Sequence, residues 1–147
     1  MQTMIVYFVG CFIGFIVHRI FQTESMWMNV AQFSIFFAFM YTFIGRFMPS
    51  IRNSLIKMVP SSIPNPKMIV YVTGWLEFVI AISVFIPKVN FVFSVIGIIL
   101  CFVLFPGYMK AHAKNINIGG KVPMNIYLRA LLQILFIVSF IIIFKHA

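Results

Sequence analysis

Five apolar stretches, each close to the thickness of a bilayer, occupy most of the 147 residues and restrict the chain to a membrane fold. They run from Thr3 to Val17, Trp27 to Gly45, Met68 to Ile86, Phe91 to Met109 and Ile126 to Phe144. A helix needs about 20 predominantly apolar residues to cross roughly 30 Å of hydrocarbon. Hydrocarbon offers no hydrogen-bond partners, so segments of this length satisfy their backbones as helices. The alternation that a transmembrane barrel requires is missing. With 63% hydrophobic residues, 9% charged residues and a mean hydropathy of +1.08, a soluble domain of this size could not cover its own apolar surface. The expected fold class is therefore all-α, a polytopic membrane helical bundle. The first stretch has no charged residue ahead of it and no small-x-small cleavage site after it, so it is expected to be a retained span, covering residues 1–22 with its flanks.

Charge orients the bundle. Arg46, Arg52, Lys57 and Lys67 separate the second and third stretches; Lys110, Lys114 and Lys121 separate the fourth and fifth, with Arg129 just inside the fifth. Only Arg19, Lys88 and Lys145 fall on the other side, which accounts for all 11 lysines and arginines. The positive-inside tendency then places the N-terminus in the cytoplasm and the C-terminus outside a cell membrane. A net charge of +9 finds its partner in the anionic headgroups of the lipid bilayer rather than in nucleic acid, since no basic patch lies on a soluble module.

The connections carry further information. Thr23 or Ser25 can cap the second span and Asn125 the fifth, while Gly119 and Gly120 mark a turn. Within 46–66, residues Phe47 to Val59 place Phe47, Met48, Ile51, Leu55, Met58 and Val59 on one helical face and Arg52, Asn53 and Lys57 away from it, the pattern of a short interfacial helix. Pro60, Pro64 and Pro66 then interrupt helix before the third span. Pro87 to Asn90 is short enough to make spans three and four an antiparallel hairpin. Small residues recur at helical spacing: Gly10 and Gly14; Ser34, Ala38, Thr42 and Gly45; Thr73, Gly74, Glu77 and Ala81; Ser94, Gly97 and Cys101. Because lipid tails give helices no hydrophobic reason to associate, such faces predict where backbones approach closely.

Glu77 stands in the middle of the third span. A central charged side chain costs about 2.5 to 3.5 kcal/mol on insertion scales, against about 0.3 to 0.6 gained per Leu, Ile, Phe or Val, so the span inserts but the carboxyl needs a reason. Spans three and five start from the same face, and at 1.5 Å per residue Glu77 lies about 13 Å in, Gln133 about 10 Å and Arg129 about 4 to 5 Å. The expected site is therefore Glu77 hydrogen-bonded to Gln133, directly or through water, with Arg129 either reaching towards the carboxylate or snorkelling to headgroups. Its roles divide between a proton-carrying or ligand-anchoring carboxyl and a polar clip that fixes helix register. No Walker loop, GxSxG, HExxH or dinucleotide fingerprint accompanies it. Cys11 and Cys101 form no CxxC pair and read as packing residues. A haem is disfavoured, since only His18 and His146 fall at the same end, with His112 at the other.

From Gly45 onward the order Gly-Arg-Phe-Met-Pro, Met58-Val59-Pro60, Ile63-Pro64, Val70-Tyr71-Val72-x-Gly74-x-x-Glu77, Phe85-Ile86-Pro87, Phe105-Pro106 and Leu128-Arg129 with Gln133 resembles DoxX-like integral membrane proteins over roughly residues 27–144. The resemblance implies a four-helix membrane domain at 27–146, with the first span an N-terminal addition, and takes Phe105-Pro106 as the end of span four. Members tend to carry histidine where Arg46 stands and alanine-asparagine where Gly107 and Tyr108 stand. Some relatives are similar to the membrane subunit of a thiosulfate:quinone oxidoreductase, and others are linked to thiol or quinone stress. What this implies here is an accessory or anchor subunit in a redox or quinone-related pathway, dependent on an oxidoreductase partner rather than a self-sufficient enzyme. A quinone is the cofactor it suggests, with Tyr41, Tyr71, Gly74, Trp75, Pro106 and Tyr108 as candidate lining residues, interfacial anchoring being the other role open to the tyrosines and Trp75. A small proton-coupled transporter, a lipid-binding membrane protein and a structural scaffold are the alternatives, and a homo-oligomer is compatible with any of them.

Overall fold

The computed structural model describes residues 2–22, 25–59, 61–114 and 126–146, with side chains at all of these except Ala111 and His146. The expected Thr23 and Asn125 caps and the turn at Gly119 and Gly120 lie outside the described residues. Six helices account for nearly all of the rest: α1 (Gln2–Phe21), α2 (Met26–Phe47), α3 (Pro49–Met58), α4 (Pro66–Ser83), α5 (Asn90–Ala113) and α6 (Ile126–His146). All but α3 are long and apolar enough to cross a membrane, and the protein is a multi-pass membrane protein. Only 17% to 33% of each spanning window is buried inside the bundle, so most of the Phe, Ile, Leu and Val surface faces outward, as a lipid solvent requires.

Helices α2, α4, α5 and α6 pack in a closed ring, and α1 lies outside it against α2. The α1–α2 contact is the most extensive in the molecule and is made backbone to backbone. A Cβ placed on Gly10 would stand 2.7 Å from the Phe33 carbonyl oxygen and the Ser34 Cα; one on Gly14 would stand 2.7 Å from the Asn29 oxygen and the Val30 Cα. Tyr7, on the same stripe, reaches past α2 to α6, sharing a 2.6 Å hydrogen bond with Ser139. Ser25 caps α2 by accepting from the Met28 amide at 3.3 Å. In the ring itself Gly97 of α5 makes room for the Phe140 ring, and Phe39 packs edge-on to Phe136 and Phe140.

Prolines set the helix boundaries on the basic side. Met48, extended at φ −76° and ψ 123° as a residue before proline tends to be, ends α2 and starts α3, with Pro49 in the first turn of α3. The short helix expected from Phe47 to Val59 is thus Pro49–Met58, with Met58 buried. Asn65, left-handed at φ 53°, precedes Pro66, which begins α4.

Several helix ends differ from expectation, and α1 runs on to Phe21 rather than Val17 and α2 to Phe47 rather than Gly45. Helix α4 stops at Ser83 rather than Ile86, where the chain tightens into turns and the Val84 carbonyl is taken by Gln32 Nε2 of α2 at 2.7 Å. Helix α5 does not end at Phe105-Pro106 but continues through Pro106 to Ala113. Proline removes one backbone donor and strains one turn, which membrane helices tolerate when neighbours support them. Support comes from the Lys110 ammonium, which donates to the Val59 carbonyl at 2.8 Å and pins the end of α5 to the end of α3.

Candidate functional site

The stripe of small residues on α2 continues at intervals of four from Ser34, against α1, through Ala38 to Thr42 and Arg46, which meet Glu77 of α4. Arg46 is 5% exposed and Glu77 3% exposed. Their side chains meet through two parallel hydrogen bonds, Nε to Oε2 at 2.9 Å and Nη2 to Oε1 at 2.7 Å. Thr42 Oγ1 adds a third contact to Oε2 at 3.1 Å. A fork of this kind is the strongest geometry available to a guanidinium and a carboxylate. The remaining nitrogen, Nη1, makes only a long 3.5 Å contact with the Val70 carbonyl.

Gly74, one turn before Glu77, is what lets the arginine in. A Cβ at this position would lie 2.6 Å from Arg46 Cδ, in the space the aliphatic stem crosses on its way to the carboxylate. The Gly-x-x-Glu spacing therefore builds a slot and an anchor on one helix face. Gly74→Ala is expected to push the guanidinium off its two-point contact and to lower stability in detergent by about 1 to 3 kcal/mol, the usual range for overpacking. The same substitution made in an Arg46→Met background should cost less, because a flexible thioether can move aside with no two-point contact to lose.

Glu77 is thus held directly by Arg46 and Thr42, and the direct bond expected from Gln133 is not made. Arg46 stands one residue beyond the predicted span, and there it read as a loop charge facing water; the helix in fact runs to Phe47 and turns it inward. Gln133 is buried beside the pair, its Oε1 without a hydrogen-bond partner. Arg129 lays its guanidinium on the Tyr108 ring, 3.4 Å from the centroid, with Nε also buried and unpartnered. These groups surround a small cavity of about 20 Å³ lined by Thr42, Glu77, Cys101, Tyr108, Arg129 and Gln133 among others. A space of that size admits a single water.

A larger cavity of about 450 Å³ opens next to it at the basic end of the bundle. Thr42, Tyr108 and Arg129 belong to both. Arg46 forms part of the larger wall, with Tyr41 and Gly45 from α2, Gln2 and Thr3 from α1, and Ile51 and Leu55 from α3. Helix α3 therefore lies with its apolar face over the space. A third cavity of about 80 Å³ between α3, α4 and α5 shares Arg46, Leu55 and Tyr108. Tyr108 borders all three.

A family model described as Domain of unknown function (DUF8561) matches residues 38–143. The chain belongs to the DUF8561 family. No curated protein and no solved structure matches it. The DUF8561 segment runs from the middle of α2 to near the end of α6, so it contains Arg46, Gly74, Glu77, Tyr108, Arg129 and Gln133, whereas α1 precedes it.

Within this DUF8561 segment the other expected lining residues divide. Tyr41 and Tyr108 line the large cavity. Tyr71 and Trp75 do not; they stand on the outer face of α4 in an aromatic cluster with Phe43, Phe47 and Phe78, and Trp75 is 54% exposed. Their positions place them one helix face away from Gly74 and Glu77. Pro106 is exposed and lines none of the three cavities, because α5 runs straight through it and turns it outward. Cys11 and Cys101 are free thiols. The haem reading turned on His146, whose side chain is outside the described residues.

Proposed function

We propose that this protein is a lipid-binding membrane protein that holds a small amphiphile at the basic end of its bundle. The observation that carries the reading is the cavity of about 450 Å³, in the size range of ligand pockets, with arginines and tyrosines at one wall and apolar side chains of α2 and α3 at the others. Positive-inside counting supports a cytoplasmic N-terminus and an external C-terminus: with Arg46 removed from the loops, seven basic residues still face three. In that orientation the cavity opens towards the cytoplasmic leaflet of the cell membrane.

A quinone-related accessory role in a redox pathway is the second reading. The DoxX-like resemblance and the two tyrosines beside the cavity favour it, since an aromatic headgroup stacks and hydrogen-bonds there. Proton delivery by Glu77 has less support, because both its oxygens are occupied by Arg46 and Thr42. That arrangement suits a clip fixing α2 against α4 better than a proton carrier.

The test is mass spectrometry of molecules that copurify with the detergent-solubilised protein, together with an absorption spectrum, beside Leu55→Trp. Leu55 borders both the large cavity and its neighbour between α3 and α5, so the indole fills ligand space. A stoichiometric amphiphile in the wild type that falls several-fold in the variant is the expected outcome. A quinone chromophore would favour the second reading, and wild-type protein carrying only bulk lipid would leave neither standing.

A further inference from the structure

Within the lipid-binding reading, on which this inference rests, we infer that the ligand carries a single negative charge on its headgroup and that Arg129 is its seat. The cavity and its small neighbour are lined by three charged side chains among the described residues, Arg46, Glu77 and Arg129. Glu77 lines only the small one, and its charge is matched by the two-point contact with Arg46. No carboxylate lines the large cavity among the described residues. One positive charge is left over, on Arg129.

That guanidinium is held but not neutralised. Its face rests on the Tyr108 ring, which attracts a cation without cancelling its charge. Its Nε is buried with no acceptor, and Gln133 Oε1 behind it is buried without a donor. The single water of the small cavity can satisfy Nε but cannot neutralise the guanidinium, and an unmatched charge in an apolar bundle is costly, a cost that an anion beside Arg129 in the large cavity removes. Gln2, Thr3 and Ser50 line the same space with neutral polar side chains, while Ile44, Met48, Ile51 and Leu55 form the apolar remainder. A carboxylate or phosphodiester at Arg129 with its tail along α3 satisfies both parts. A doubly charged headgroup would have to draw Arg46 away from Glu77, which leaves a buried carboxylate unpaired. The geometry thus selects monoanionic amphiphiles.

The experiment measures binding of dodecanoate, dodecanol, dodecyltrimethylammonium and acetate to the full chain in a nonionic detergent by native mass spectrometry, with Arg129→Gln and Arg129→Lys alongside. Dodecanoate should bind at least about tenfold more tightly than dodecanol, the scale of a hydrogen bond to a charged group. Dodecyltrimethylammonium should bind least. Arg129→Gln should abolish the preference for dodecanoate over dodecanol, and Arg129→Lys should restore part of it. Equal binding of dodecanoate and dodecanol by the wild type, or a preference that survives Arg129→Gln, overturns the headgroup assignment and leaves the cavity reading intact. Acetate binding as tightly as dodecanoate would make this a site for free anions and overturn the amphiphile. Failure of every probe to bind overturns the cavity reading itself.

Discussion

Alanine at either Arg46 or Glu77 is expected to cost about 3 to 5 kcal/mol of stability, the range for removing one partner of a buried ion pair. Both residues are nearly inaccessible, and the surviving partner would lose its two-point contact, while the Arg129 guanidinium across the small cavity already rests on the Tyr108 ring. Glu77→Gln should be almost as severe as Glu77→Ala, since it preserves shape but leaves the guanidinium uncompensated. The contrasting expectation concerns the double variant Arg46→Met/Glu77→Leu, which removes both charges and returns comparable volume. It should recover most of the loss, because a well-packed apolar pair often equals or exceeds a buried salt bridge. Equilibrium unfolding of the detergent-solubilised protein reads all four. Single variants within about 1 kcal/mol of wild type, the size of an exposed pair, would show that the fork is wet in the membrane.

The second large effect is expected where α1 meets α2. Gly10→Ala and Gly14→Ala each drive a methyl group into backbone atoms 2.7 Å away, which no side-chain rotation can relieve. The two helices must separate, losing the close contact that drives association in lipid. A cost of about 1 to 3 kcal/mol at each position follows, larger for the pair. Gly45→Ala supplies the comparison. Its Cβ would meet nothing nearer than Ile51 Cδ1 at 3.7 Å, so the better helix former should stabilise by about 0.5 to 1 kcal/mol. If the three alanines behave alike in the same unfolding assay, the contact between α1 and α2 is looser than 2.7 Å implies.

The spans were legible because lipid enforces length and apolarity on every one of them, and α3 was legible because Ile51, Leu55 and Met58 repeat at helical spacing. What periodicity could not set was where a helix stops inside or beyond a polar residue. Pro106 looked like an end, yet proline in a packed membrane helix removes a single donor. Glu77 was visible at once as a carboxylate without water. Its partner was not, because an arginine at the end of an apolar run is most often a loop cation. The overlooked signal was the register Ser34, Ala38, Thr42, Arg46, which puts the arginine on the small-residue face, while Gly45 falls off it. Gln133 and Arg129 came from depth matching, which brings residues to one level without saying which faces which. Tyr71 and Trp75 were open to two roles, lining and interfacial anchoring, and their outward direction leaves them the second.

Helices α2 and α4, which Arg46 and Glu77 join, are also the two least apolar of the five spans. Alone, α4 would carry a bare carboxylate to the bilayer centre, with little apolar surplus to offset it. Emerging after α2 from the ribosome, it meets a helix already displaying a guanidinium at the matching level. The clasp therefore bears on more than the finished bundle: an α2 that precedes α4 offers the carboxylate its counter-charge and lowers the cost of burying it.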